Sequence, residues 1–356
     1  MIKDLLSSLT PYTSSLKTEK LPIFLYGMGD GAEKIYKYIS SFGIKIKGVV
    51  CSDEFKREKE FLNFKILSLS EAEKLFGRLC LVVCFGLEGE KTALLKKLSE
   101  KHKIISPNVA VIGDDACDYE YIKENAESFE KVFSLLADEK SKEIFVSLIK
   151  YNITGDISCL DVENSDTVPD GYYNHNKRHI DVGAYDGDTA LDYAKNNKNY
   201  KDIVAFEPDK TTYKKLCANV KDLPRVIPEN KAVCDKDGFV SFTSGGGRAS
   251  KVGEGESVES VTIDKYCGFE YISSAGTPVG SIKIDAEGMD EAVVCGAKNV
   301  IFVCKSALCV SVYHRRGDII DLPLLLRTYD YKYKFYLRKK EYYPAWDVVL
   351  YCIHQY

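Results

Sequence analysis

The sequence predicts an α/β protein with a doubly wound C-terminal sheet ending in a β-hairpin, preceded by a smaller α/β unit and a helical connector. Three observations carry this expectation. Short apolar runs alternate with helical patterns in both halves, as in a parallel sheet covered on both faces. Each half opens with an apolar run entering a glycine turn, Gly27-Met28-Gly29 in the first and Gly183-Ala184-Tyr185-Asp186-Gly187 in the second. A length of 356 residues suits two domains at roughly 150 residues each.

The first unit spans 1–117. A strand over 22–26 runs into Gly27-Met28-Gly29-Asp30-Gly31-Ala32. The helix after it places Ile35, Tyr38, Ile39 and Phe42 on one face and stops at Gly43. A second strand over 46–50 leads to Asp53. Helix 69–76, strand 79–85, helix 91–101 and strand 103–105 complete the alternation. From 118 the pattern becomes helical, with Phe129, Val132, Phe133, Ile144, Phe145 and Leu148 as its apolar positions. Two helices are expected across the connector, 118–170, which closes on the turn residues Pro169-Asp170-Gly171.

The last unit, 171–356, has strands at 178–182, 202–206, 225–227, 281–284 and 307–312. Helices begin near Asp188 and cover 211–220 and 319–326. The final strands, 332–337 and 346–353, lie close in sequence, which predicts a hairpin rather than another crossover. The glycine-rich stretch 244–255, with Arg248, Ser250 and Lys251, reads either as a substrate loop or as a solvated connection.

Composition narrows the function. Lys+Arg number 49 against 53 Asp+Glu, a net charge of −4, so there is no basic footprint for a nucleic-acid partner. No apolar run reaches the ~18 residues of a membrane span, and the first residues lack a signal-peptide core. The expected compartment is therefore cytoplasmic. Twelve cysteines are scattered without a C-x-x-C pair, and are expected to be reduced and mostly buried. The five histidines show no H-E-x-x-H metal spacing.

In an open parallel sheet, ligands bind beyond the carboxyl ends of the strands. Asp181, Gly183, Ala184, Gly187, Asp188 and Thr189 form such a turn, where glycine lets backbone approach a ligand. Glu207 and Pro208 end the next strand, and a carboxylate there can accept both hydroxyls of a ribose. Asn230 and Ala232 follow the third strand, where an adenine edge would lie. Lys283, Asp285 and Glu287 end the fourth strand, and His314 the fifth. In the first unit Gly27, Gly29 and Asp53 fit a dinucleotide fingerprint, making a nucleotide a candidate ligand. An empty structural or docking unit explains the same turn.

Five motifs in order carry a resemblance: Ile180-Asp181-Val182-Gly183-Ala184-Tyr185-Asp186-Gly187-Asp188-Thr189, Ala205-Phe206-Glu207-Pro208-Asp209, Asn230-Lys231-Ala232-Val233, Lys283-Ile284-Asp285-Ala286-Glu287-Gly288, and Val312-Tyr313-His314. Together they resemble the S-adenosylmethionine-dependent class I methyltransferases, and within them the FkbM family. The match departs at Met289-Asp290-Glu291, where the family places a glutamate soon after Glu287-Gly288, so the roles of Asp290 and Glu291 stay open. The resemblance implies S-adenosylmethionine as cofactor, its methionine end on the first loop, its ribose on Glu207 and its sulfonium near Asp285. It further implies O-methylation of a small-molecule or glycan-type acceptor: a sugar, a glycan precursor or a secondary metabolite.

An oxygen acceptor must lose a proton to a base or a metal. His314 is the candidate base, with Asp285, Glu287 and Lys283 as catalytic neighbours. A divalent metal on the carboxylates is the alternative. The first unit looks like the Rossmann-like units found beside sugar-modifying enzymes. Two competing readings remain: a nucleotide-dependent oxidoreductase acting through the first unit, and a non-catalytic cofactor-binding scaffold in glycan assembly. A homo-oligomer is compatible with all of them.

Overall fold

The computed structural model describes residues 1–57, 59–163, 165–243, 251–252, 256–269 and 276–355. Most of the glycine-rich stretch 244–255 therefore lies outside the described residues. The first sheet contains β1 (Ile23–Tyr26), β2 (Gly48–Cys51), β3 (Glu60–Phe61), β4 (Phe64–Ser68), β5 (Cys80–Val83) and β6 (Lys103–Ile105). Their order is β3-β4-β2-β1-β5-β6, parallel except for the β3–β4 pair. Every residue of β1, β2 and β5 is buried, which is why these strands are unbroken apolar runs in the sequence. Helix α1 (Asp30–Ser41) covers the sheet with Ala32, Ile35 and Ile39. It can approach closely because Gly31 has no Cβ; one there would lie 2.8 Å from the Cys84 carbonyl oxygen.

The connector holds three helices rather than the expected two: α2 (Tyr119–Glu124), α3 (Ala126–Leu135) and α4 (Glu139–Thr154). The breaks fall at Asn125 and at Asp138, whose carboxylate accepts the Ser141 N–H at 2.8 Å as an N-cap. Phe129, Ile144 and Phe145 share one apolar core with Phe24 of the first unit and with Ile180, Phe206 and Leu337 of the last. Arg338 also ties the helices to the sheet, through Asp138 at 2.7 Å and the Thr167 carbonyl at 2.7 Å.

The second sheet contains β7 (Arg178–Val182), β8 (Ile203–Phe206), β9 (Val226–Glu229), β10 (Val279–Ile284), β11 (Ala307–Ser311), β12 (Tyr333–Lys339) and β13 (Val348–His354). The order is β9-β8-β7-β10-β11-β13-β12. Pro228, which has no N–H for the ladder, sits in the edge strand β9. The expected hairpin is present as the antiparallel pair β12–β13, with β13 also antiparallel to β11. Strand order reverses between β7 and β10, and that switch point opens a crevice at the carboxyl ends. A small sheet of Ala232–Val233, Gly238–Thr243, Lys251–Val252 and Glu256–Val261 occupies a region read as largely irregular in the sequence.

The β12–β13 turn reaches the first unit, where Tyr342 and Tyr343 pair antiparallel with Glu88 and Leu87. Among the described residues no helix is long and apolar enough to cross a membrane. All twelve cysteines are free thiols, mostly buried, with Cys295 exposed.

Candidate active site

A cavity of about 550 Å³ lies over the switch point, within the size range of small-molecule sites. Its floor comes from the ends of the second sheet's strands: Gly183, Asp188, Thr189, Glu207, Pro208, Lys231, Ala232, Lys283, Asp285 and Glu287. Its roof comes from elsewhere. Asp30, Gly31 and Lys34 of α1, the segment 109–111, and Tyr342, Trp346 and Asp347 of the β12–β13 turn complete the wall. Both units and the hairpin thus enclose one space.

Glu207 is 7% exposed and is held by two backbone donors. Oε2 accepts the Tyr185 N–H at 3.0 Å and Oε1 the Asp209 N–H at 2.8 Å. Burial pushes its carboxyl up to about 7, the two backbone hydrogen bonds offsetting only part of that effect. Each oxygen keeps a further lone pair, so the group still calls for neutral donors. Asn230 clamps the loop from behind, donating to the carbonyls of Glu207 at 2.8 Å and Pro208 at 3.1 Å. Its amide serves the backbone rather than an adenine, and Lys231, Ala232 and Val233 line the cavity in its place.

Gly183 takes φ +72°, and a Cβ on it would stand 1.9 Å from the Asp285 carbonyl oxygen. The neighbouring loop presses on this glycine from one side, while the residue also lines the cavity. Asp181 lies fully buried beneath, accepting from the Thr189 hydroxyl at 2.6 Å. Ala184 is buried beside it, and Gly187 packs against Leu216 and Val220. Asp181, Ala184, Gly187 and Asn230 therefore shape the site from behind, while Gly183, Asp188, Thr189, Glu207, Pro208 and Ala232 face the cavity.

Lys283 lines the cavity, but its ammonium donates to the Gly183 carbonyl at 2.8 Å and lies 3.3 Å from Asp181 and 3.8 Å from Asp285. Burial alone would lower its pKa; the two carboxylates overcome this and hold it above the ordinary lysine value. A lysine so held fixes three loops together and is no proton acceptor. Asp285, partly open to the cavity, is held well below the usual carboxylate range: burial opposes this, and Lys283 and His314 prevail.

His314 has no exposed side-chain surface, and three acids surround it. Nδ1 lies 2.8 Å from Asp290 Oδ2, and Nε2 lies 3.2 Å from Asp285 and 3.8 Å from Glu287. Burial would lower its pKa, but Asp290 and Asp285 raise it well above the ordinary histidine value. As a candidate base, His314 is thus clamped between acids on both ring nitrogens, Asp290 at Nδ1 and Asp285 at Nε2. Asp290, whose role the motifs left open, accepts from the N–H groups of Ala286 at 2.9 Å and Gly288 at 3.1 Å, and also fixes His314.

Of the first unit's glycine turn, Asp30 and Gly31 line this cavity, whereas Gly27, Gly29 and Asp53 are not among its lining residues. A Cβ at Gly27 would meet the Phe85 ring at 2.6 Å, whereas one at Gly29 would meet nothing within 4 Å. Asp53 accepts from the backbone and hydroxyl of Ser70 at the start of the following helix. The unit instead contributes α1 to the shared wall. Sequence reasoning missed Lys34, Tyr342 and Trp346; their one visible signal was Trp346, the chain's single tryptophan, which the structure places just before the last strand rather than within it.

Strand order, switch point and cavity together define a class I methyltransferase fold. Residues 181–333 match the family described as the methyltransferase FkbM domain. A crystal structure of the methyltransferase FkbM from Methylobacillus flagellatus KT shares the fold at TM-score 0.71 and 16% identity, over 99% of this chain and 98% of that one. An rRNA methylase from Streptococcus thermophilus is similar at TM-score 0.34 and 9% identity, over 52% of this chain and 90% of its own. No curated protein sequence matches the chain.

Proposed function

We propose that this protein is an S-adenosylmethionine-dependent methyltransferase acting on a hydroxyl of a small neutral acceptor of the sugar, glycan-precursor or secondary-metabolite type. The observation that carries the cofactor is Glu207. A buried carboxylate held by two backbone N–H groups and facing a cavity suits the two hydroxyls of a ribose. Asp188, Asp285 and Glu287 line the same space and suit a cationic sulfonium. When bound, the cofactor supplies an electrophilic methyl group; the chain's own residues orient the partners, and positioning provides most of the acceleration in such displacements.

The acceptor side is assigned to the roof. Trp346 and Tyr342 stand with ring centroids 5.9 Å apart, a platform that suits the apolar face of a sugar ring. Lys34 is engaged with the Val111 carbonyl at 3.1 Å and Asp30 at 3.5 Å, and Lys340 with Asp347 at 3.2 Å. Paired lysines of this kind favour an uncharged acceptor over an anionic one. Calorimetry with S-adenosylmethionine and its demethylated product tests the cofactor. Absence of binding by both would overturn the reading. Labelled cofactor turned over in a cell extract identifies the acceptor and separates an enzyme from a binding scaffold.

A further inference from the structure

We propose that Tyr313 is an acceptor-binding residue whose hydroxyl donates a hydrogen bond to an acceptor oxygen beside the one that is methylated. The acceptor is then a polyhydroxylated molecule rather than a lone alcohol. The inference rests on the reading of methyl transfer to a neutral hydroxyl compound, which it deepens. Tyr313 lies two residues beyond β11, at the carboxyl end of a parallel strand, where ligands of open sheets are bound.

The residue is placed by its neighbours on both sides. The Val312 N–H donates to the Val348 carbonyl at the start of β13 at 3.0 Å, and the His314 carbonyl accepts the Ile112 N–H of the first unit at 2.9 Å. Tyr313 is thus pinned where the sheet ends, the hairpin and the first unit meet. Its ring packs on the imidazole of His314, with centroids 4.3 Å apart and planes tilted by 40°. That imidazole is itself fixed by Asp290 at 2.8 Å. A side chain held this way loses little freedom when a ligand arrives, which lowers the cost of binding.

The hydroxyl is the part of this side chain that the protein leaves unused. Tyr313 lines the cavity together with Asp285, Glu287 and Asp347. Within the described residues no hydrogen bond takes up its hydroxyl, and that oxygen is not closed off as the Trp346 indole nitrogen is. The lysines of the same wall are occupied: Lys283 by the Gly183 carbonyl and Asp181, Lys34 by the Val111 carbonyl, and Lys340 by Asp347. When an acceptor fills the cavity and expels water, the phenol must be met by that acceptor or stay unpaired at a cost.

The surroundings set what the phenol can recognise. Burial, and then the carboxylates of Asp285, Glu287 and Asp347, hold its pKa above the ordinary tyrosine value, so the group stays protonated and offers a donor. The same carboxylates disfavour an anionic oxygen beside it, which leaves a neutral hydroxyl or ring oxygen as the partner. A donor on the reacting oxygen would tie up the lone pair that attacks the methyl group, so the bond goes to an oxygen next to it. Trp346 and Tyr342 meanwhile offer a ring face. A face with a donor at its edge suits a sugar ring, and a site built to bond an oxygen rejects an analogue that lacks it.

The test is Tyr313→Phe in the full chain, which deletes the hydroxyl and keeps the ring. The melting temperature should stay within about 2 °C and the calorimetric Kd for S-adenosylmethionine within about twofold, because the hydroxyl supports neither fold nor cofactor. The probe for the acceptor side is S-adenosylmethionine with a tritiated methyl group, incubated with an extract of the source organism. At limiting extract, label transfer should fall about three- to tenfold, the worth of one neutral hydrogen bond. It should recover as extract is raised, a change in KM rather than kcat. Mass spectrometry of the labelled species should find a second oxygen on the carbon next to the new methyl ether. Unchanged transfer, a loss that more extract does not restore, a weakened cofactor Kd, or a labelled lone alcohol each overturns the role. Equal labelling by wild type and variant sinks Tyr313 alone. A wild type that binds S-adenosylmethionine and labels nothing sinks the methyl-transfer reading, and the role of Tyr313 with it.

Discussion

Replacing Glu207 by glutamine probes the cofactor site while nearly preserving its shape. Burial raises the carboxyl from 4.5 to about 7, so the folded chain holds an extra proton between those values. The associated stability, about 3 kcal/mol, is fully present below pH 4.5 and is lost as pH rises through about 7. Glu207→Gln removes that pH-dependent penalty but leaves one amide oxygen for the two N–H groups of Tyr185 and Asp209. An unmet buried donor costs about 1–3 kcal/mol, so the two effects nearly cancel at pH 8 and the melting temperature should hardly move. Affinity should respond differently. Loss of charge-assisted bonds to a ribose costs about 1.5–3 kcal/mol, or roughly 10–150-fold in Kd. If the ionised form binds, wild-type affinity should also fall about tenfold from pH 8 to pH 6, following the ionised fraction of a group with pKa near 7. Calorimetry at both pH values, with thermal melts alongside, reads all of this. A glutamine variant that binds the cofactor within threefold of wild type, or that keeps the pH slope, refutes the assignment.

Gly183→Ala should be severely destabilising, because its Cβ would stand 1.9 Å from a backbone oxygen at φ +72°; a melt and soluble yield check this, with several kcal/mol expected from the clash and strain. Arg338→Ala breaks a bond to Asp138 and leaves Thr167 without its donor. It should cost about 3 kcal/mol, the lower end for buried pairs because Asp138 is about a third exposed, measurable by urea unfolding. Trp346→Ala should raise KM for the acceptor by about tenfold, the loss of one stacked ring face, while cofactor Kd stays constant. Equal changes in both would show that Trp346 does not belong to the acceptor side.

The second sheet was legible because its chemistry is local. Each strand is a short apolar run with its turn residues immediately after it, so Asp181, Glu207 and Asp285 could be placed at carboxyl ends from the sequence. Their functions were less legible, because these depend on what approaches from other loops. Gly183 lines the cavity yet is also pressed against Asp285, and His314 is fixed at Nδ1 by Asp290, 24 residues before it. Periodicity has no term for either contact. The connector has one break more than expected: Asn125 separates α2 from α3 without a side-chain cap, its amide donating to the Tyr121 carbonyl, whereas Asp138 caps α4.

The first unit is where local reading left most open, and the reason is physical. A strand, a glycine turn and a helix produce the same residue pattern whether the turn cradles a phosphate or packs against its own sheet. At Gly27 the space a ligand would need is filled by Phe85, and at Gly31 the helix lies on the Cys84 carbonyl. The glycines here permit close packing, which sets the angle at which α1 leaves β1 and delivers Asp30 and Lys34 to the cavity roof. The pairing of Tyr342 with Glu88 fixes the other side of that roof, so the first unit positions the β12–β13 turn as well as α1. A wall assembled from residues 34, 110 and 346 cannot be seen in any single window of sequence. It follows that acceptor specificity should move with changes in α1 and the hairpin turn, while cofactor affinity follows the loops after β7, β8 and β10.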